Sequence, residues 1–166
     1  MSIGITTIAT PSVKASSRPS AFEPLFAQIT FYMRGVLADE VWFYGAECSF
    51  ESDWSEEVEV TWLGVYHDAV ELAELYPRTS GDQALHRMAG FITRAVRSKS
   101  RVEIDHLVDR SADLVNEMDE FVPPRVNRLL ADVHDCFVQM ADLANEGLDG
   151  GAERRRYGPL SIAQAA

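Results

Sequence analysis

The run from Ala84 to Phe91, ALHRMAGF, holds the residues closest to group-transfer chemistry in this chain. Imidazole is a nucleophile near neutral pH. On a helix, a residue four positions further on lies one turn up on the same side. Gly90 occupies that position beside His86 and has no side chain to crowd the ring, while Arg87 and Arg94 supply positive charge for an arriving phosphoryl group. His86 is therefore the candidate phosphoacceptor, with Gly90 clearing its approach. The plainer reading of the same residues is a solvated histidine on the flank of a helix.

A second set is acidic. Glu71 and Glu74 form a Glu-x-x-Glu pair, and Glu103 opens Glu103-Ile-Asp-His106 further along. Carboxylate oxygens suit Mg²⁺, which in turn binds phosphate. The two pairs are similar to the Glu-x-x-Glu and Glu-x-x-Asp pattern of all-α nucleotide pyrophosphohydrolases of the MazG type. That resemblance implies Mg²⁺ held by Glu71, Glu74 and Glu103 against a nucleoside triphosphate. It departs at His106, which stands in place of an Asp and is a poor magnesium ligand. His86 to Gly90 likewise resembles the motif of histidine phosphotransfer domains, small helical bundles whose surface His receives phosphate from an aspartyl phosphate. Here the departure is Ala89, where that motif carries Lys.

His67, His86, His106 and His134 fall on four different predicted helices, but a metal site inside a bundle needs its ligands to face the core. His67 and His106 lie off their apolar stripes, and His86 and His134 on the flanks. Glu103 with His106 has a di-iron spacing and His67 with Glu71 a hemerythrin-like one, each without its companions. No metal or other cofactor is expected.

These residues must be positioned by helices. Ser20/Glu23, Asp53/Glu56, Ser80/Gln83 and Ser100/Glu103 each place a capping residue three positions before Glu or Gln, and Pro123-Pro124 marks a fifth start. The expected helices span 21–50, 54–76, 81–98, 101–121 and 124–147. Their apolar stripes include Val58, Trp62, Val65, Ala69, Leu72 and Tyr76 in the second, Ile104, Leu107, Leu114 and Met118 in the fourth, and Val126, Val133, Phe137 and Met140 in the fifth. Short turns favour antiparallel neighbours. The fold class is thus all-α, an up-and-down bundle of about five helices over 20–148, with a flexible N-terminal arm over 1–19 and a flexible C-terminal tail over 149–166.

The first helix has two stripes. Phe22, Leu25, Phe26, Ile29, Met33, Val36 and Phe43 form one, and Phe31, Ala38 and Trp42 a second on the opposite side. Apolar surface on both sides calls for cover on both sides, so this helix is either central in the bundle or part of a dimer interface; a homodimer is the favoured expectation, with Phe31 and Trp42 as protein-binding residues. Glu40 and Glu47 fall in the main stripe. Either they are buried and functional, or the helix kinks near Gly35 or Gly45, or restarts at Asp39, and turns them outward; the kink is the preferred expectation.

Charge is segregated: residues 35 to 77 hold 11 acidic residues and no Lys or Arg, whereas 83 to 102 hold five basic residues and no acidic one. Arg87, Arg94 and Arg97, with Lys99 and Arg101, form a strip that either pairs with the acidic helices or docks an acidic or phosphate-bearing partner. A net charge of −11 argues against nucleic acid. No apolar run spans a membrane, and no start resembles a secretory signal. Cys48 and Cys136 read as reduced thiols, so the expected compartment is the cytoplasm. Without a nucleophile constellation or a phosphate loop, the expected function is a non-enzymatic acidic adaptor, chaperone or regulatory protein-binding module. The phosphotransfer and pyrophosphohydrolase readings are the alternatives.

Overall fold

The computed structural model describes residues 20–45, 52–98, 100–117 and 122–149; the side chains of 41–45, 52–56 and 144–149 lie outside that description. Five helices follow in chain order: α1 (Phe22–Gly45), α2 (Ser52–Glu74), α3 (Ser80–Arg97), α4 (Arg101–Asn116) and α5 (Pro124–Asp149). Among the described residues there is no strand. The expected arm over 1–19 lies outside the described residues, as does the expected tail apart from Asp149, which belongs to α5.

Cross-helix bonds fix the directions. Trp62 reaches Glu40 and Gln28 reaches Asp68, so α2 runs against α1. His86 meets Ala73 and Arg97 meets Tyr66, so α3 runs against α2; Arg87 pairs with Glu117 and Arg94 with Glu103, so α4 reverses again. Glu23 pairs with Arg125 and Arg34 with Asp132, which places α5 parallel to α1 and closes the ring. The result is the up-and-down bundle, with α3 packed on all four of the other helices.

Local chemistry sets the helix ends. Thr79 caps α3: its hydroxyl accepts the Asp82 amide at 3.0 Å while the Asp82 carboxylate takes the Thr79 amide at 3.2 Å. This capping box sits one residue before the expected Ser80/Gln83 pair, because Asp82 is short enough to turn back at that position. Asp82 also accepts from Ser20, whose oxygen in turn receives the Phe22 amide, so one carboxylate joins the start of α3 to the start of α1. Ser100 begins α4 without using its side chain. Glu103 is drawn instead to Ser98 and Arg94. Pro123 accepts the Val126 and Asn127 amides and opens α5. Compared with expectation, α2 stops at Glu74 and α4 at Asn116, while the expected continuation of α1 over 46–50 lies outside the described residues.

The core is built from the predicted stripes of α1, α2, α4 and α5, to which α3 adds buried residues of its own. Phe26, Ile29, Met33, Trp62, Leu72, Leu85, Met88, Ile92, Leu107 and Phe137 are closed to solvent from every helix. Tyr76 corrects one stripe: it lies past the end of α2 and is 85% exposed. Glu40 corrects the kink. α1 runs unbroken through Gly35 and Asp39, so position 40 keeps its place on the inner stripe and is 1% exposed. Glu47 lies outside the described residues.

Candidate functional site

His86 is half-buried on α3, and its Nε2 stands 2.8 Å from the Ala73 carbonyl oxygen. A carbonyl only accepts, so Nε2 carries the proton and donates it. The last carbonyls of a helix lack amide partners, and Ala73 belongs to the last turn of α2. His86 therefore closes the end of α2 from a neighbouring helix, with the Phe22 ring beside it at 6.4 Å. This use of Nε2 leaves that nitrogen without a lone pair to attack a phosphoryl group. Gly90 does leave open space, since a Cβ there would meet nothing within 4 Å.

The acidic set is divided. Glu74 and Glu103 border one groove of about 450 Å³ between α2, α3 and the start of α4, together with Tyr66, Arg94, Arg97 and Ser98. Glu71 and His106 are exposed and not part of its lining. Glu103 accepts from Ser98 at 2.9 Å and from Arg94 at 3.2 Å, and these bonds, Ser98 first, hold its carboxyl below the usual carboxylate range. Among the described residues, no cluster of three His, Cys, Asp or Glu is placed to hold a metal ion.

The arginine strip is mostly engaged. Arg94 is held by Glu103, Arg87 approaches Glu117 at 3.9 Å, and Arg97 lies 5.8 Å from the centre of the Tyr66 ring. Arg87 and Glu117 are both exposed, so that pair contributes little. Arg97 on Tyr66 is a cation–π contact that holds the guanidinium over the groove. His134 is similarly occupied: its Nδ1 lies 2.8 Å from the buried Ser111 hydroxyl and ties α4 to α5.

The outer side of α1 stands apart. Phe31 is 73% exposed and Tyr32 41%, their rings edge-to-face at 5.7 Å. With Gly35, Val36 and Asp39 of α1, and Glu57, Val58 and Thr61 of α2, they line a groove of about 350 Å³. A Cβ at Gly35 would meet nothing within 4 Å, so a neighbouring chain can approach the α1 backbone there. Val60 and Leu63 are also exposed on α2, outside the lining of this groove. The Trp42 side chain, expected on this face, lies outside the described residues.

Below this face is the feature that the sequence reading placed on the wrong side. The Trp62 indole N–H donates to Glu40 at 3.2 Å. Burial pushes the Glu40 carboxyl up to about 7, against the pull of the indole bond, so near neutrality it exchanges a proton inside the α1/α2 packing. The signal was present: Glu40 and Trp62 both occupy core-facing positions of their helices. Comparison with known proteins finds no family model, no curated protein and no solved structure that matches the chain.

Proposed function

We propose that this protein is a non-enzymatic protein-binding module, an adaptor, chaperone or regulator, whose docking surface is the α1/α2 face centred on Phe31. The observation that carries the reading is the 73% exposure of Phe31 beside Tyr32 and a groove that ends in Asp39 and Glu57. Exposed aromatic rings beside a groove are typical anchors in protein recognition. The acidic border selects an occupant that brings positive charge. A second copy of the chain on the same face is the competing occupant. The proposed compartment is the cytoplasm, in keeping with Cys136 as a buried free thiol.

The test is affinity capture of the tagged full chain from its native cells, compared with Phe31→Asp. Position 31 contributes little to the core, so the variant should keep the helical content of the parent while losing the captured protein. An identical partner at identical yield with both forms would remove the α1/α2 face from the reading.

A further inference from the structure

The docking face invites the question of what occupies it when no partner is bound. Resting on the reading of that face as a docking surface, we propose that its resident occupant is the chain's own C-terminal segment. Arg154, Arg155 and Arg156 would meet Asp39 and Glu57, while Tyr157, Leu160 and Ile162 would lie toward Phe31 and Tyr32.

Charge selects this segment. Residues 35 to 77 carry 11 acidic residues and no Lys or Arg, and the chain's single run of consecutive basic residues is Arg154 to Arg156. Arg34, the basic residue of α1, is directed to α5, where it pairs with Asp132 at 3.1 Å. A second copy on this face would set Asp39 and Glu57 against acidic residues of its own kind, which costs free energy at short range. A segment with three adjacent guanidinium groups reverses that sign, and each guanidinium can meet a carboxylate through two N–H groups.

Position and length agree. α5 runs parallel to α1, so its last residue, Asp149, emerges at the same end of the bundle as Gly45. Asp39 near the end of α1 and Glu57 near the start of α2 place the groove's acidic border toward that end. From Asp149 to Arg154 the extended chain spans about 17 Å, which covers both the width of a helix, about 10 Å, and the drop of about 9 Å along α1 from Gly45 to Asp39, together about 13 Å along the diagonal. From Asp39 back to Phe31 the helix rises about 12 Å. Tyr157 to Ile162 reach about 20 Å extended, so the apolar residues arrive at the aromatic pair. The segment also matches the groove in character, with basic residues first and apolar residues next, in the order in which a chain leaving α5 meets Asp39 and then Phe31.

The test uses the full chain with a benzophenone amino acid at position 157. On irradiation, the monomer should crosslink within itself to the groove-lining parts of α1 or α2. Asp39→Lys with Glu57→Lys should lower that yield roughly tenfold, the sum of a few surface pairs. Adding Arg154→Glu, Arg155→Glu and Arg156→Glu should restore it, which also shows that the reversed face still folds. Crosslinks elsewhere on the bundle, crosslinks between two chains, no crosslink, or a yield insensitive to charge reversal would each overturn the proposal. Capture that depends on Phe31 while the photoprobe misses the groove would overturn the self-docking alone and leave the docking face standing.

Discussion

Replacing Glu40 by Gln tests the α1/α2 packing most directly. The carboxyl is pushed from 4.5 to about 7 by burial, and at about 1.4 kcal/mol per unit this difference amounts to about 3 kcal/mol. Below pH 4.5 both the folded and the unfolded chain hold the proton, and the folded state incurs no cost of burying charge. As pH rises above 4.5, the unfolded chain releases the proton while the folded chain retains it. Stability then falls until about pH 7, above which the ionised carboxylate is buried and the loss is complete. Gln keeps the side-chain volume and an oxygen to accept the Trp62 indole N–H, yet cannot ionise. Its amide group adds a cost or gain that does not vary with pH, so the informative quantity is the change in the difference between the two proteins. Urea unfolding of both, followed by tryptophan fluorescence at several pH values, should show the Gln variant gaining about 2 kcal/mol on the parent between about pH 5 and pH 8. A difference that stays flat across that range would refute the assignment of a neutral, buried Glu40.

Four further outcomes are expected. Asp82 has the opposite sign: burial alone would raise its carboxyl, but the bonds from Ser20 and from the Arg78 and Thr79 amides outweigh this and hold it below the usual range. Its contribution is present above the ordinary Asp range and is lost as pH falls through the lowered value, so Asp82→Asn should flatten the acid side of the stability profile measured by urea midpoints. Gly64→Ala and Gly90→Ala should each stabilise the bundle by about 0.5–1 kcal/mol, because both glycines lie inside helices and an added Cβ meets nothing within 4 Å; a fall in melting temperature would contradict this. His86→Phe should cost about 1 kcal/mol in urea unfolding by leaving the Ala73 carbonyl without its donor, and an unchanged midpoint would show that the bond to α2 contributes nothing. In a Cys48→Ala background, Cys136, pushed up to about 12 by burial, should react with a thiol reagent at the rate at which the bundle opens, and labelling of the closed state would be the adverse result.

The fold was legible because every helix carries a start signal and four of the five also show an apolar stripe. Val58, Trp62, Val65, Ala69 and Leu72 repeat at helical spacing and are buried together, and Phe31 on the second stripe of α1 is exposed as its angle requires. The errors arise where one residue satisfies two local rules. Tyr76 continues the α2 stripe, but Pro77 disfavours helical backbone just before it, so the ring falls outside the bundle. Glu40 looked like a carboxylate to be rotated away from the core. An indole N–H across the interface and protonation near neutrality supply the alternative, and neither is visible along a single helix.

The chemistry was less legible for a related reason. His86, Glu103 and Arg94 are reactive residue types, and sequence spacing gives their faces but not the bonds that consume them. In the bundle, the His86 proton goes to Ala73, and Glu103 is shared between Ser98 and Arg94. Those bonds close helix ends and corners, the places where a short-turned bundle most needs donors and acceptors. Phe31 makes no such bond and is largely open to solvent. A residue type that burial would stabilise, held outside an otherwise filled core, therefore points toward binding more strongly than polar residues already committed to holding the helices together.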